Sequence, residues 1–164
     1  MTADATAGDG VSVVAMLPVH IDALMCFERE MFGAEAWSAQ AYREELADRD
    51  HRSYVTALDS SGALVGWAGV RVLGADAEVL TVGVVPSARR AGIGRLLLGT
   101  LLAHAVERGA EQVFLEVRVD NPAALAMYEN DGFARLGIRR GYYENGRVDA
   151  VTMRKGLVDE RIRR

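Results

Sequence analysis

One short segment holds the residues best suited by type and spacing to do chemistry. Residues 82–95 read VGVVPSARRAGIGR and place Gly92 and Gly94 beside Arg89, Arg90 and Arg95. Glycine lets the backbone approach a ligand closely, and the first turn of a helix presents unpaired amides at the positive end of the helix dipole. Because three guanidinium groups accompany these features, the segment predicts a phosphate-binding site.

Two common phosphate-binding motifs do not fit this segment. It has no Gly-x-x-x-x-Gly-Lys-Ser/Thr sequence, so it lacks the lysine and the magnesium-binding hydroxyl of a nucleoside triphosphatase. Leu97 stands where the dinucleotide-binding pattern Gly-x-Gly-x-x-Gly has its third glycine. The pattern that remains is Arg-x-x-Gly-x-Gly. Taken alone, it also fits a tight turn with solvated arginines.

A strand must precede this loop and a helix must follow it, and the periodicity of the chain supplies both. Strand spacing is predicted at 11–17, 52–58, 63–73, 78–84, 112–119, 133–139 and 148–154, and helical spacing at 18–32, 38–47, 93–108 and 121–130. The order β-α-α-β-β-β-α-β-α-β-β predicts a mixed α/β (α+β) fold, with about seven strands in a mostly antiparallel sheet covered by about four helices.

Length and composition limit the classes of protein that fit. The chain has 164 residues, which suits one domain, predicted at 11–157 between a disordered segment 1–10 and a charged tail 158–164. A net charge of −4 gives no general reason to bind nucleic acid. Cys26 is the single cysteine, and no Cys/His spacing indicates a metal site. Without a signal sequence or a long apolar run, we expect a cytoplasmic protein that does not enter a membrane.

The Arg-x-x-Gly-x-Gly loop resembles the pyrophosphate-binding motif of the GNAT acetyltransferases, and the order of elements is similar to their fold. The resemblance becomes closer downstream. Leu-Glu-Val-Arg at 115–118, the stretch ALAMYENDGF at 124–133 and IRRGYY at 138–143 resemble the RimI subfamily of N-terminal acetyltransferases. Members of that subfamily acetylate the N-terminal alanine of small-subunit ribosomal protein eighteen.

The resemblance implies two catalytic residues in intact motifs. Attack of an amine on a thioester requires a base for the amine and an acid for the departing thiolate. By resemblance, Glu116 is the proton acceptor and Tyr128 is the proton donor. From the residues alone, Glu116 also fits a strand carboxylate paired with an arginine, and Tyr128 also fits a packing residue whose hydroxyl reaches solvent.

The resemblance also implies the binding residues. Acetyl-coenzyme A, as cosubstrate and without a metal, would lie along a strand edge, the glycine loop and a helix start, formed by Val82, Gly83, Val84, Arg89, Arg90, Ala91, Gly92, Ile93, Gly94, Arg95 and Asn121. The acceptor would meet Trp37, Tyr142 and Tyr143. Ala36 stands where the family usually has proline before Trp37. Asn121 also fits a helix cap, and the two tyrosines also fit strand packing.

The function that the resemblance implies is transfer of acetyl from acetyl-coenzyme A to the N-terminal amine of a protein, by direct attack in a ternary complex. The expected partner is a protein N-terminus, that of a ribosomal protein, with no nucleic acid involved. Two alternatives remain open from the sequence. One is a GNAT enzyme that acts on protein lysines or a small amine, and the other is a non-catalytic module that binds acyl-coenzyme A.

Overall fold

The computed structural model describes residues 5–7 and 10–158. Its strands are β1 (Ala5–Ala7), β2 (Val11–Ala15), β3 (Arg52–Leu58), β4 (Leu64–Leu73), β5 (Asp76–Val84), β6 (Gln112–Arg118), β7 (Ala134–Tyr143) and β8 (Val148–Gly156). Its α-helices are α1 (Pro18–Phe32), α2 (Ala39–Ala47), α3 (Ile93–Glu107) and α4 (Pro122–Asn130). Short 3₁₀ turns lie at Gly33–Glu35, Pro86–Ala88 and Glu144–Gly146.

All eight strands form one sheet in the order β1-β2-β3-β4-β5-β6-β8-β7. Every neighbouring pair is antiparallel except β5 and β6, which run parallel. The predicted mixed, mostly antiparallel fold is therefore confirmed, with β2 to β8 and α1 to α4 in the predicted order.

The structure describes part of the predicted N-terminal segment but only the first residue of the predicted tail. Ala5–Ala7 pairs with β2, so these three residues of the segment predicted to be disordered form an eighth strand. Residues 1–4, 8 and 9 lie outside the described residues, as does the predicted charged tail beyond Val158.

The parallel pair is the feature that shapes the site. β5 and β6 pair only where Asp76–Glu78 faces Gln112–Phe114. Near this point the register between β4 and β5 slips, because Gly69 pairs with Thr81 while Val70 pairs with Val79, which leaves one extra residue on β5. Such a bulge bends the strand that carries it. Past Glu78 the two strands therefore separate, and their facing edges are left without strand partners.

Helices cover both faces of the sheet over two clusters of buried apolar side chains. One cluster joins α3 and α4 to the sheet through Leu97, Leu101 and Leu125, together with alternate residues of β6. The other joins α1 and α2 to it through Ile21, Tyr42 and Trp67. The loops at the open end of the β5–β6 gap are thus held by packed elements on both sides. Across the described part of the chain, no helix is long and apolar enough to span a bilayer.

Candidate active site

A cleft of about 930 Å³ opens where β5 and β6 separate. Ten of the residues predicted from the sequence line it: Trp37, Val82, Gly83, Val84, Arg89, Glu116, Asn121, Tyr128, Tyr142 and Tyr143. Residues 90–95 lie outside this lining, in the turn that leads from β5 into α3. The cleft is within the size range of small-molecule sites, roughly 300 to 1,000 Å³.

The glycine loop ends in a helix start that is rich in free donors. The first bond within α3 runs from the Leu96 amide to the Gly92 carbonyl, at 3.1 Å. The amides of residues 93–95 therefore have no acceptor within the helix. Gly92 has a φ of +80°, and a Cβ added there would have no atom within 4 Å. The loop thus leaves open space at the positive end of the helix, which is the arrangement that binds anions.

The arginines of this loop are exposed and differ in how they are held. Arg89 donates from Nε to the Val84 carbonyl at 3.2 Å, which ties its side chain to the end of β5. Arg90 has a φ of +67°, in the left-handed region that non-glycine residues seldom adopt. The side chain of Ile93 is buried in the α3 core, so only its backbone is available to a ligand.

Glu116 is positioned by the alternation of β6. Leu115 and Val117 point into the core, so Glu116 points to the opposite face, where its side chain is 15% exposed. Its Oε2 accepts a hydrogen bond from Thr152 Oγ1 at 2.7 Å, and its Oε1 pairs with Arg139 Nη1 at 3.2 Å. The carboxylate is therefore fixed in orientation and open to the cleft.

Tyr128 reaches the cleft from α4. It is 7% exposed, and its ring packs edge-on against Phe133 at 5.6 Å between centroids. Burial raises the pKa of the Tyr128 hydroxyl to about 12, because the phenolate would be poorly solvated there. Its hydroxyl makes no hydrogen bond with the residues that the structure describes. Every fully buried polar side-chain atom among those residues has a partner, so the Tyr128 hydroxyl is not fully buried. The hydroxyl therefore meets the open space of the cleft with its proton in place.

Asn121 caps a helix at the edge of the cleft. Its Oδ1 accepts from the Ala124 amide at 3.1 Å, which makes it the N-cap of α4. It also lines the cleft. The cap holds the start of the helix that carries Tyr128.

The aromatic side chains of the cleft come from distant parts of the chain, with Tyr142 and Tyr143 at the end of β7. The Tyr142 and Tyr143 rings stand edge-on at 4.8 Å, with Arg139 over Tyr142 at 5.1 Å. The Tyr143 hydroxyl donates to the Glu116 carbonyl at 3.2 Å, so this tyrosine also supports the strand that carries the carboxylate.

Trp37 also lines the cleft, from the segment between α1 and α2 that contains Glu35. The carboxylate of Glu35 accepts from the Glu144 amide at 2.7 Å and so joins this segment to the turn after Tyr143. The pKa of the Tyr143 hydroxyl is raised, chiefly by burial and then by the neighbouring Tyr142 and Glu116.

Sequence reasoning missed three residues that shape the site: Glu28, Arg139 and Thr152. Glu28 continues the buried positions of α1 after Ile21 and Leu24, so a carboxylate on an apolar helix stripe was the available signal. Thr152 faces Glu116 across the β6–β8 ladder. No local sequence pattern predicts that pairing. Within residues 10–158 no group of three or more potential metal ligands comes together.

Comparison with known proteins agrees with this geometry. Residues 21–133 match the model of the Acetyltransferase (GNAT) family. The N-alpha-acetyltransferase RimI of Mycobacterium tuberculosis (strain ATCC 25618 / H37Rv) is 44% identical over 166 residues, which cover 97% of this chain and 99% of that protein.

Two further comparisons involve Escherichia coli. Its ribosomal protein bS18-alanine N-acetyltransferase (strain K12) is 34% identical over 71% of this chain and 78% of that protein. The crystal structure of the ribosomal-protein-S18-alanine N-acetyltransferase from Escherichia coli aligns with a TM-score of 0.79 and 27% identity, over 92% of this chain and 97% of that one. The resemblance to the RimI subfamily is thereby confirmed, and the chain belongs to the GNAT acetyltransferase family.

Proposed function

We propose that this protein is an N-alpha-acetyltransferase that transfers acetyl from acetyl-coenzyme A to the N-terminal amine of a protein. The observation that carries the proposal is the meeting of Glu116 from β6 and Tyr128 from α4 in one cleft, beside an unpaired strand edge. The similarity to the N-alpha-acetyltransferase RimI of Mycobacterium tuberculosis and to the bS18-alanine N-acetyltransferase of Escherichia coli supports the same reaction.

The donor side of the cleft fits acetyl-coenzyme A, which supplies the acetyl group as a thioester. At Val82, Gly83 and Val84 the cleft side of β5 has no strand partner, so free backbone groups there could pair with the amides of the pantetheine arm. The Val84 carbonyl already accepts from Arg89. The amides of residues 93–95, together with Arg89, Arg90 and Arg95, would hold the pyrophosphate. Gly92 leaves open space for it, Ala91 would lie next to it, and Asn121 would lie beside the arm. Gly94 would contribute its backbone, because a Cβ there would meet the Met127 sulfur at 3.0 Å.

The chain's own residues would move the protons. Glu116, anchored by Thr152, would accept a proton from the attacking amine directly or through a water. Tyr128 would donate to the departing sulfur, since its hydroxyl is protonated and makes no other described bond. The attack would be direct, with both substrates bound together.

The acceptor side favours an extended peptide. Trp37, Tyr142 and Tyr143 form aromatic walls around the cleft beside Glu116. Such walls can hold the backbone and first side chain of a chain terminus. An N-terminal alanine, and small-subunit ribosomal protein eighteen as its bearer, are proposed from the names of the Escherichia coli relatives.

Gly92→Val tests the donor side. The valine would occupy the open space at the start of α3 in a backbone conformation unfavourable to β-branched residues, so acetyl-coenzyme A affinity should fall by about tenfold or more. Gly109→Val is the matched control, because Gly109 has a φ of +91°, has no atom near its added Cβ, and follows the other end of α3. Calorimetry that finds equal affinities in the two folded variants would refute the assignment of the loop.

Tyr142→Ala and Tyr143→Ala test the acceptor side in an assay of thiol release with a peptide that begins with alanine. Each should raise the peptide KM by about tenfold, as expected for loss of an aromatic contact. Tyr143→Phe should retain the KM and lower kcat by only a few fold, since it loses the bond to the Glu116 carbonyl alone. Binding of acetyl-coenzyme A without thiol release from any amine would instead indicate a non-catalytic module.

A further inference from the structure

The carboxylate of Glu28 is buried without a cation. Glu28 is 2% exposed and lies on α1 at the wall of the cleft. Its Oε1 accepts from the Trp37 amide at 3.0 Å, and its Oε2 accepts from the Tyr42 hydroxyl at 2.8 Å. No lysine, arginine or histidine within residues 10–158 pairs with it.

The hydrogen bonds continue from Glu28 into the sheet. Trp67 Nε1 donates to the Tyr42 hydroxyl oxygen at 3.0 Å. The Trp67 ring is fully buried, and a Cβ built on Gly83 would lie 3.0 Å from it. Glu28 is thus held from the side of the sheet by Tyr42, while its other oxygen is directed to the loop that carries Trp37.

The carboxylate at this position is buried at a cost that its two hydrogen bonds offset in part. Burial raises the pKa of the Glu28 carboxyl, and the hydrogen bonds from Trp37 and Tyr42 lower it. An apolar side chain would fill the same position on the helix stripe without the cost of desolvating a charge. What such a side chain could not do is accept the hydrogen bond of the Trp37 amide.

The loop that receives this bond is also held next to Trp37, where Ser38 accepts from the amides of Ala41 and Tyr42. Residues 33–38 join α1 to α2. We call them the acceptor loop, because Trp37 in this loop is assigned to the acetyl-acceptor substrate. The Ala36 amide donates to the Gly33 carbonyl, Glu35 reaches across to the Glu144 amide, and the Trp37 ring lies 5.2 Å from that of Tyr42. The bond to Glu28 is the one that fixes the backbone at Trp37 itself.

We propose that Glu28 is a positioning residue, which holds the acceptor loop through the Trp37 amide and thereby sets peptide affinity without touching the peptide. This inference rests on the proposed function, because it assumes that Trp37 borders the peptide. It predicts that the capacity to accept a hydrogen bond matters at position 28 and that the negative charge does not.

Glu28→Ala and Glu28→Gln separate these two properties. Alanine removes the acceptor, so the Trp37 amide should exchange with deuterium faster and the peptide KM should rise by about tenfold, with kcat changed by less than about threefold. Glutamine keeps an amide oxygen for Trp37, so both readouts should stay near those of the wild type. Affinity for acetyl-coenzyme A should be unchanged in both variants.

Leu101→Ala is the control for destabilisation alone. Leu101 is fully buried in the cluster under α3, on the other face of the sheet from the acceptor loop. This variant should melt at a lower temperature while the Trp37 amide stays protected and the peptide KM stays normal.

Two results would overturn the inference. Wild-type exchange and KM in Glu28→Ala would show that the bond positions nothing, and a Glu28→Gln variant as impaired as Glu28→Ala would show that an acceptor for the Trp37 amide is not sufficient without the second oxygen that accepts from Tyr42. If the wild-type protein acetylated no peptide, the proposed function would be refuted independently of the role of Glu28. The exchange rate at Trp37 would still decide whether Glu28 anchors the loop.

Discussion

Glu116→Gln and Tyr128→Phe are each expected to lower kcat by about 10²- to 10⁴-fold while leaving the affinity for acetyl-coenzyme A nearly unchanged, which is the usual effect of removing a general acid or base. Both substitutions nearly preserve shape. Glutamine can still accept from Thr152, but it cannot take a proton from the amine. Phenylalanine retains the edge-on packing against Phe133 and has no proton to give.

The two residues should differ in what their loss does to the protein. The Tyr128 hydroxyl makes no described hydrogen bond, so its removal should leave the melting temperature within a few degrees of the wild type. Glu116→Gln also replaces the charged partner of Arg139. That ion pair is partly exposed, and such pairs contribute roughly 0 to 1 kcal/mol, so here too stability should change little.

Matched substitutions outside the cleft provide the controls. Glu129→Gln changes the same chemical group next to Tyr128 on α4, where the carboxylate pairs with Arg135 on the surface. Tyr54→Phe removes a hydroxyl that donates to Glu45 at 2.7 Å, away from the cleft. Both controls should retain kcat. Near-normal turnover in Glu116→Gln and Tyr128→Phe across the neutral pH range would mean that the assigned roles are wrong.

Local signals in the sequence were sufficient to predict β2 to β8 and α1 to α4, but not β1. Strand spacing was predicted at 112–119, and β6 has the alternating burial that directs Glu116 away from the core. Asn121 was considered as a helix cap, and its side chain accepts from the Ala124 amide. These features depend on neighbours a few residues apart, so a short stretch of sequence contains the information.

Features that depend on distant pairing were not predictable in this way. The gap between β5 and β6 arises from a parallel pairing of only three residue pairs and from a bulge in β5. The bond from Glu35 to the Glu144 amide joins residues 109 positions apart. The burial of Glu28 depends on Tyr42 and Trp67 from other elements. A single sequence carries no direct record of such contacts, so the fold was more predictable than the detailed walls of the site.

We expect a strong preference for an α-amine over a lysine side chain as the acetyl acceptor, because the amine must be neutral before it attacks. An α-amine has an unperturbed pKa of about 7.7 to 8.0, and a lysine side chain has one of about 10.4. Near pH 7.5 roughly a third of α-amines are neutral, against about one lysine in a thousand. Reaching the nucleophilic form therefore costs lysine roughly 3 to 4 kcal/mol more.

The cleft adds a steric reason to this chemical one. The aromatic walls at Trp37 and at Tyr142 and Tyr143 are joined by the bond between Glu35 and Glu144. An extended chain terminus can enter between such walls, whereas a lysine within a chain must bring peptide on both sides. We therefore expect a free N-terminus to be the preferred substrate.

Site-resolved mass spectrometry after incubation with acetyl-coenzyme A tests this central claim most directly. The substrate would be a peptide that begins with alanine and contains internal lysines, compared with the same peptide carrying a blocked α-amine. We expect the acetyl group on the α-amine of the first peptide and almost no product from the second. An acetyl group found mainly on internal lysines, or equal product from the blocked peptide, would contradict N-terminal acetylation while leaving the GNAT fold in place.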